Sequence, residues 1–333
     1  MKPVVSVVIP TYRRPHLLAD CLEALCAQNY DPSSYEVIVV DNAGCPDTRR
    51  VVERFEGRAE PRWRDAAGPP VRYLLAADSR GPAAARNRGW QAARGEIIAF
   101  TDDDCLPTPG WLGAGTAAFA NGEVGVTGNI VVPIPPAPTD YERTVAQLGD
   151  GEFATANCFY RRDALEAVGG FDERFAAAWR EDSDLFFTLL KKNGDDHLFG
   201  YAAEAVVCHP PREAPWGVSL GQQRKSMYNA LLFKKHPTHY RATIQSSPPW
   251  RYYRAILALV GGLIAVISGR PQPAVVMLAV WAALTVRFAG ERLRHTSRTP
   301  QHVVEMVVTS ALIPPLSVFW RLAGAVKYRV FFL

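Results

Sequence analysis

Ile97-Ile98-Ala99-Phe100-Thr101-Asp102-Asp103-Asp104 runs an apolar stretch straight into three consecutive carboxylates. A short β-prone apolar run of this kind reads as a strand buried on both faces. Adjacent carboxylates repel one another, so placing them at the end of a buried strand is unfavourable without a cation. Hard oxygen ligands suit Mg²⁺ or Mn²⁺, and such an ion can bridge a carboxylate to a diphosphate. Its work there is to neutralise charge growing on a diphosphate leaving group. Strand alternation sends Asp102 and Asp104 to one side and Asp103 to the other. The plain alternative is a solvated acidic turn.

Upstream, Val4–Ile9, Glu36–Val40 and Val71–Leu75 read as further strands, with Glu96–Thr101 the fourth. His16–Ala27, Asp47–Phe55 and Pro82–Ala93 read as the helices between them. This alternation predicts an α/β fold, a mostly parallel sheet covered by helices on both faces. Ligands then bind beyond the carboxyl ends of the strands. The first strand ends in Pro10-Thr11-Tyr12-Arg13-Arg14-Pro15. It carries neither the glycines of a dinucleotide fold nor the Gly-Lys-Ser/Thr of a P-loop, which excludes a nicotinamide dehydrogenase and an ATPase of those types. The second ends in Asp41, a carboxylate at the ligand edge that a turn or helix cap would equally use. Downstream, Val124–Val132 and Phe153–Tyr160 read as strands around the Pro-rich loop Pro133–Pro138. Glu181–Lys192 reads as a helix with acidic residues in its first turn, and Ala205–His209 as a short strand ending in a histidine.

The chain has 333 residues, 48% of them hydrophobic, and a net charge of +4. That length allows one full catalytic domain and an appendage. The mild charge, without basic runs interleaved with aromatics, argues against nucleic-acid binding. The six cysteines form no C-x-x-C pair, so they read as buried thiols in a reducing cytosol. The N-terminus reads as a first strand and not as a signal peptide.

VSVVIPTYRR, EVIVVDN, RGPAAARNRGWQAARGEIIAFTDDD, GGFDERF and REDSDL, in that order, resemble the family 2 inverting glycosyltransferases of GT-A fold over roughly residues 4–235. The resemblance implies a nucleotide-sugar donor, expected to be a UDP-sugar, and a Mn²⁺ or Mg²⁺ cofactor. It implies that Pro10, Thr11, Tyr12, Arg13 and Asp41 line the nucleoside pocket, with Arg86 and Asp103 also on the nucleotide-sugar side. Asp102 and Asp104 match the D-x-D pair, Asp102 towards ribose and metal and Asp104 as metal ligand, with His209 a further ligand. Glu181-Asp182-Ser183-Asp184-Leu185 matches the acceptor motif. An inverting transfer needs a base opposite the leaving group, and that role falls to Asp182 beside Glu181. Helix N-termini also favour acids for purely electrostatic reasons. In Gln222-Gln223-Arg224-Lys225, Lys225 and Ser226 stand where processive synthases carry the arginine and tryptophan of Q-x-x-R-W, which favours single additions.

Composition changes near residue 250, giving an expected catalytic domain over 1–245, divided at about 105, and membrane-associated helices over 246–333. Ala255–Ile267 and Pro273–Val286 are apolar but near or below the roughly 17 residues that span a bilayer. Arginines flank them on both outer sides, so a hairpin over about 252–288 with both ends in the cytosol is expected, the alternative being a buried helical pair packed on the catalytic domain. In Val303–Leu333, Pro314 and Pro315 interrupt the stretch and basic residues alternate with aromatics, so an interfacial helix is expected. The expected setting is a bacterial inner membrane with the catalytic part facing the cytoplasm. The acceptor would be a lipid-linked or cell-envelope glycan. Rival readings are a polyprenyl-phosphate glycosyltransferase and an inactive membrane-tethered nucleotide-sugar-binding protein.

Overall fold

The computed structural model describes residues 2–56, 68–78, 81–150, 153–194 and 196–333. Its sheet contains β1 (Val5–Thr11), β2 (Tyr35–Asp41), β3 (Val71–Leu75), β4 (Ile97–Phe100), β5 (Leu106–Pro107), β6 (Gly125–Val131), β7 (Cys158–Arg161) and β8 (Phe199–Cys208). The spatial order is β3-β2-β1-β4-β7-β6-β8-β5. The β3-β2-β1-β4 half is parallel, while β7 runs antiparallel to both β4 and β6. Helices α1 (Pro15–Cys26), α2 (Pro46–Glu56) and α3 (Gly81–Ala92) connect the parallel strands, and α4 (Trp111–Ala117) follows β5. After β1 the chain moves outwards to β2 and β3, then crosses back to place β4 on the other side of β1. This reversal leaves a crevice at the carboxyl ends of β1 and β4, where sheets of this type take ligands.

β1 and β2 are buried along their whole length, which explains their unbroken Val/Ile character. Their polar members are internally satisfied: Ser6 Oγ donates to Glu36 Oε1 at 2.7 Å, and Arg72 pairs with Glu36 Oε2 at 3.0 Å. Helix α3 lies hard against this sheet. A Cβ at Gly89 would stand 2.3 Å from Val8 Cγ1 and 3.1 Å from Val40 Cγ2, so the contact requires glycine.

The strand expected over Phe153–Tyr160 begins only at Cys158. Phe153 has φ +53°, and the Asn157 amide donates to the Ala154 carbonyl at 2.9 Å, so a turn occupies the first part. Asn157 then ties together three elements. It accepts from Trp111 Nε1 at 2.8 Å and donates to the Asn129 and Ala205 carbonyls at 2.9 and 2.7 Å. The expected strand Ala205–His209 is the second half of a longer one, β8, whose pairing with β6 shifts register between Gly128 and Asn129. Helices α6 (Arg162–Val168) and α7 (Glu181–Asn193) complete this part of the chain.

The chain divides into two compact units, Met1–Pro133 with Ala146–Pro210, and Ile134–Val145 with Pro211–Leu333. The composition change near residue 250 therefore does not mark the division. The second unit holds α5 (Asp140–Ala146), α8 (Val218–Gln222), α9 (Met227–Lys235), α10 (Pro237–His239), α11 (Trp250–Ile267), α12 (Pro271–Leu293) and α13 (Pro300–Tyr328). Within it, Arg292 explains why the 134–145 segment groups with the long helices. Its guanidinium pairs with Asp140 at 2.7 Å and donates to the hydroxyls of Thr309 and Ser310 at 2.6 and 3.1 Å.

α11, α12 and α13, of 18, 23 and 29 residues, are each long and apolar enough to cross a membrane. The first two extend beyond their apolar cores because the flanking Trp250–Arg254 and Arg287–Leu293 residues remain helical. Pro314 and Pro315 do not interrupt α13, contrary to the sequence expectation. Each removes one amide donor but its fixed φ suits a helix, and Ile313 and Pro314 are buried where α13 packs along its neighbours.

Replacing Gly89 with valine should overpack the α3–β1 contact and lower unfolding free energy by about 1–3 kcal/mol. Chemical denaturation checks this; an unchanged midpoint would contradict the close approach.

Candidate active site

The acidic run lies just past β4, in a turn closed by the Cys105 amide donating to the Asp102 carbonyl at 3.1 Å. Strand alternation therefore does not arrange it, because the strand has already ended at Phe100. Each carboxylate meets a different environment. Asp103 is fully buried, accepts from Thr11 Oγ1 at 2.7 Å and pairs with Arg14 at 2.9 Å. Burial pushes its carboxyl up to about 7 against the opposing pull of Arg14. It thus binds the ends of β1 and β4 together across the crevice.

Asp104 sits 3.5 Å from Arg14 and presents its other oxygen 3.5 Å from His209 Nε2. His209 follows β8, is buried, and its Nδ1 finds no hydrogen-bond partner. A buried carboxylate facing an imidazole with an unsatisfied nitrogen is a donor set that suits a divalent cation. The Cys105 sulfur lies within 4.8 Å of these ligand atoms. Burial, with the charges of Asp102 and Asp104, raises that thiol well above its ordinary range.

Asp102 turns towards α3. Arg86, buried to 2% exposure, bonds Asp102 Oδ1 at 2.7 Å with one nitrogen and Glu181 Oε1 at 3.0 Å with another. Burial works against ionisation of Asp102, but Arg86 outweighs it and holds the carboxyl below its ordinary value. Glu181 is shifted the other way, chiefly by burial and then by the neighbouring charge of Asp182. Arg86 thus bridges the acidic turn and the head of α7 through two of its nitrogens.

The acceptor motif opens α7. Its N-cap, Arg180, has φ +76°, and its guanidinium lies 4.7 Å from the Trp179 ring centre. Glu181 Oε2 accepts from the Trp179 amide at 2.7 Å, which completes its enclosure. Asp182 is half-buried, accepts from the Ser183 amide at 2.7 Å, and has its carboxyl raised first of all by burial. The preceding Gly169–Asp172 turn is latched to α3. Asn87 donates to the Phe171 carbonyl and accepts from its amide, both at 2.9 Å. A Cβ at Gly170, where φ is +75°, would stand 2.5 Å from Asn87 Oδ1.

The remaining predicted residues gather at the first two strand ends. Pro10 and Thr11 are buried in β1, whereas Tyr12 is 55% exposed and the Arg13 guanidinium lies 5.4 Å from its ring centre. Asp41 is buried with both oxygens engaged. It accepts from the Ala43, Gly44 and Cys45 amides at 2.8, 3.2 and 2.8 Å and from Tyr73 Oη at 2.9 Å. Its evident work is shaping the loop after β2. Sequence reasoning missed Arg14, which holds Asp103 and Asp104 together; its adjacency to Arg13 in the quoted motif was the available signal. It also missed Asn87, whose role needs the GGFD turn in place.

Arg86→Met should cost about 3–5 kcal/mol, since it leaves buried carboxylates unpaired. Without the guanidinium their folded-state pKa values rise, so the native state binds more protons than the unfolded chain between the ordinary carboxylate range and neutrality. Stability in the variant should therefore fall as pH rises through that window. Urea titrations at mildly acidic and mildly alkaline pH check it; equal losses at both would contradict the pairing.

The model of the family described as glycosyl transferase family 2 matches residues 6–169. Glycosyltransferase AglE of Haloferax volcanii is 31% identical over 231 residues, which cover 66% of this chain and 71% of that protein. Validoxylamine A glucosyltransferase of Streptomyces hygroscopicus subsp. limoneus is 34% identical over 119 residues, 35% of this chain but only 24% of that protein. Among solved structures, mannosyltransferase PcManGT from Pyrobaculum calidifontis in complex with GDP-Man and Mn²⁺ matches with a TM-score of 0.55 at 20% identity. That match covers 99% of this chain and 88% of the other, a likeness of fold. With its motifs in order on a GT-A sheet, the chain belongs to glycosyltransferase family 2.

Proposed function

We propose that this glycosyltransferase moves a sugar from a nucleotide-diphosphate donor, expected to be a UDP-sugar, to a hydroxyl of a lipid-linked or cell-envelope glycan, with inversion. The observation that carries the proposal is the convergence at one crevice of Thr11, Arg14, Asp102, Asp103, Asp104, Arg86 and Glu181. Asp104 and His209, with Asp102 beside them, would hold Mn²⁺ or Mg²⁺, which when bound neutralises charge on the departing diphosphate. Pro10, Thr11, Tyr12, Arg13 and the Asp41 loop form the nucleoside side, with Asp103 holding that wall in place.

Asp182 is the base. Its half-buried carboxyl, raised by burial, is better matched to accepting a hydroxyl proton near neutrality than an ordinary aspartate. The acceptor oxygen forms its bond to the anomeric carbon as its proton passes to Asp182. The bond from that carbon to the diphosphate oxygen breaks on the opposite face. Glu181, held by Arg86 and the Trp179 amide, positions the first turn of α7 and with it Asp182. The three apolar helices support attachment of the protein to a membrane, with the catalytic unit on the cytoplasmic face.

Asp182→Asn should lower kcat by about 10²–10⁴-fold while nucleotide-sugar binding persists; loss of donor binding would reassign the residue. In the full chain in detergent, Mn²⁺ with a nucleotide sugar should raise the unfolding temperature of the wild type. That increment should vanish in Asp104→Ala and shrink in His209→Ala. A wild-type increment unchanged by EDTA would refute the metal assignment.

A further inference from the structure

We propose that the open end of the α11–α12 hairpin is a binding site for the phosphate headgroup of an anionic phospholipid. α11 and α12 are joined by a short turn at Gly269, so the start of α11 and the end of α12 lie together. There Arg251, Arg254 and Arg287 line one cavity with Tyr252, Phe288 and Glu291. Glu291 pairs with both Arg251 and Arg287 at 3.1 Å, holding two guanidinium groups on one side of the opening. Tyr252 and Phe288 flank Arg251 at 5.1 and 5.0 Å from their ring centres, which fixes its direction. Arg254 is exposed and, among the described residues, has no hydrogen bond or ion pair.

Three arginines against one glutamate leave the cavity with an excess of positive charge, with Arg254 unpaired among the described residues. Planar guanidinium forks match the oxygens of a phosphate. What presents a phosphate here follows from the rest of the hairpin. Beyond the cavity the exposed side chains turn apolar: Leu257, Ile264, Ile267, Val275 and Val286 are all more than half exposed. If that surface lies in hydrocarbon, as the membrane attachment proposed above requires, the arginines stand at its border, at headgroup depth. The aromatic pair Tyr252 and Phe288 suits the same boundary. The inference concerns only this cavity and is independent of the sugar-transfer chemistry.

The test uses the full chain, purified in detergent and titrated with vesicles of phosphatidylcholine alone, or of phosphatidylcholine and phosphatidylglycerol in equal parts. Wild type should bind the mixed vesicles more tightly, and Arg254→Gln should weaken that preference about five-fold. The triple variant Arg251→Gln, Arg254→Gln, Arg287→Gln should weaken it on the order of a hundred-fold. Arg298→Gln, outside the cavity, should retain it. Equal binding to both vesicles by wild type, or an equal loss in Arg298→Gln, would overturn the site. Displacement by soluble glycerol phosphate at matched phosphate concentration would show a free-phosphate site instead. Displacement by a small fraction of polyprenyl phosphate in the vesicle would show that the cavity belongs to an acceptor lipid, and would equally overturn the phospholipid assignment. Asp104→Ala should bind vesicles as wild type does, so failure of this proposal is separable from failure of the catalytic one.

Discussion

The buried guanidinium of Arg86 is the interaction on which the site depends. It reaches Asp102 on the β4 side and Glu181 at the head of α7, joining the strand that carries the acidic turn to the helix that carries the acceptor motif. A positive charge with two carboxylate partners in a dry setting divides them. Asp102 is held ionised, while Glu181 keeps its proton to higher pH. Because α3 itself is seated on β1 through Gly89, the position of Arg86 is inherited from the most buried part of the sheet. The acidic turn and the first turn of α7 are thereby tied to one buried reference.

Charge compensation by protein groups also revises the simplest account of the acidic run. Three carboxylates at a buried strand end argue for a cation, and much of the required positive charge is supplied by Arg14 and Arg86. Asp103 is a structural tie from β4 to Thr11 on β1. Beside them, Asp104 faces the imidazole of His209, a pair of groups whose chemistry suits a divalent cation.

The second unit follows a comparable logic with different materials. Arg292 gathers Asp140, Thr309 and Ser310, and so anchors a short segment from mid-sequence to the long apolar helices. The arginines beyond it behave differently. Arg251, Arg254 and Arg287 are exposed, set at the end of an apolar hairpin, and only partly neutralised by Glu291. Within this unit Arg292, only slightly exposed, ties segments together, while Arg251, Arg254 and Arg287 remain on the surface.

The period of the apolar residues by itself determined the parallel half of the sheet. Val5–Thr11 and Tyr35–Asp41 are buried at every position and Ile97–Phe100 nearly so, which matches their largely apolar sequences, whereas Val71–Leu75 at the sheet edge is only partly covered. The order of the motifs likewise determined the family, and composition located the apolar helices. Tertiary structure alone decided which basic group meets which acid. Arg14 and Asp103 are 89 positions apart, and Arg86 and Glu181 are 95 apart, separations at which no local periodicity operates. It also decided that Phe153–Asn157 turns before β7 begins, since Asn157 is held by three distant partners. Pro314 and Pro315 remain helical for the same kind of reason: local propensity is weak beside the packing of a long apolar helix on its neighbours.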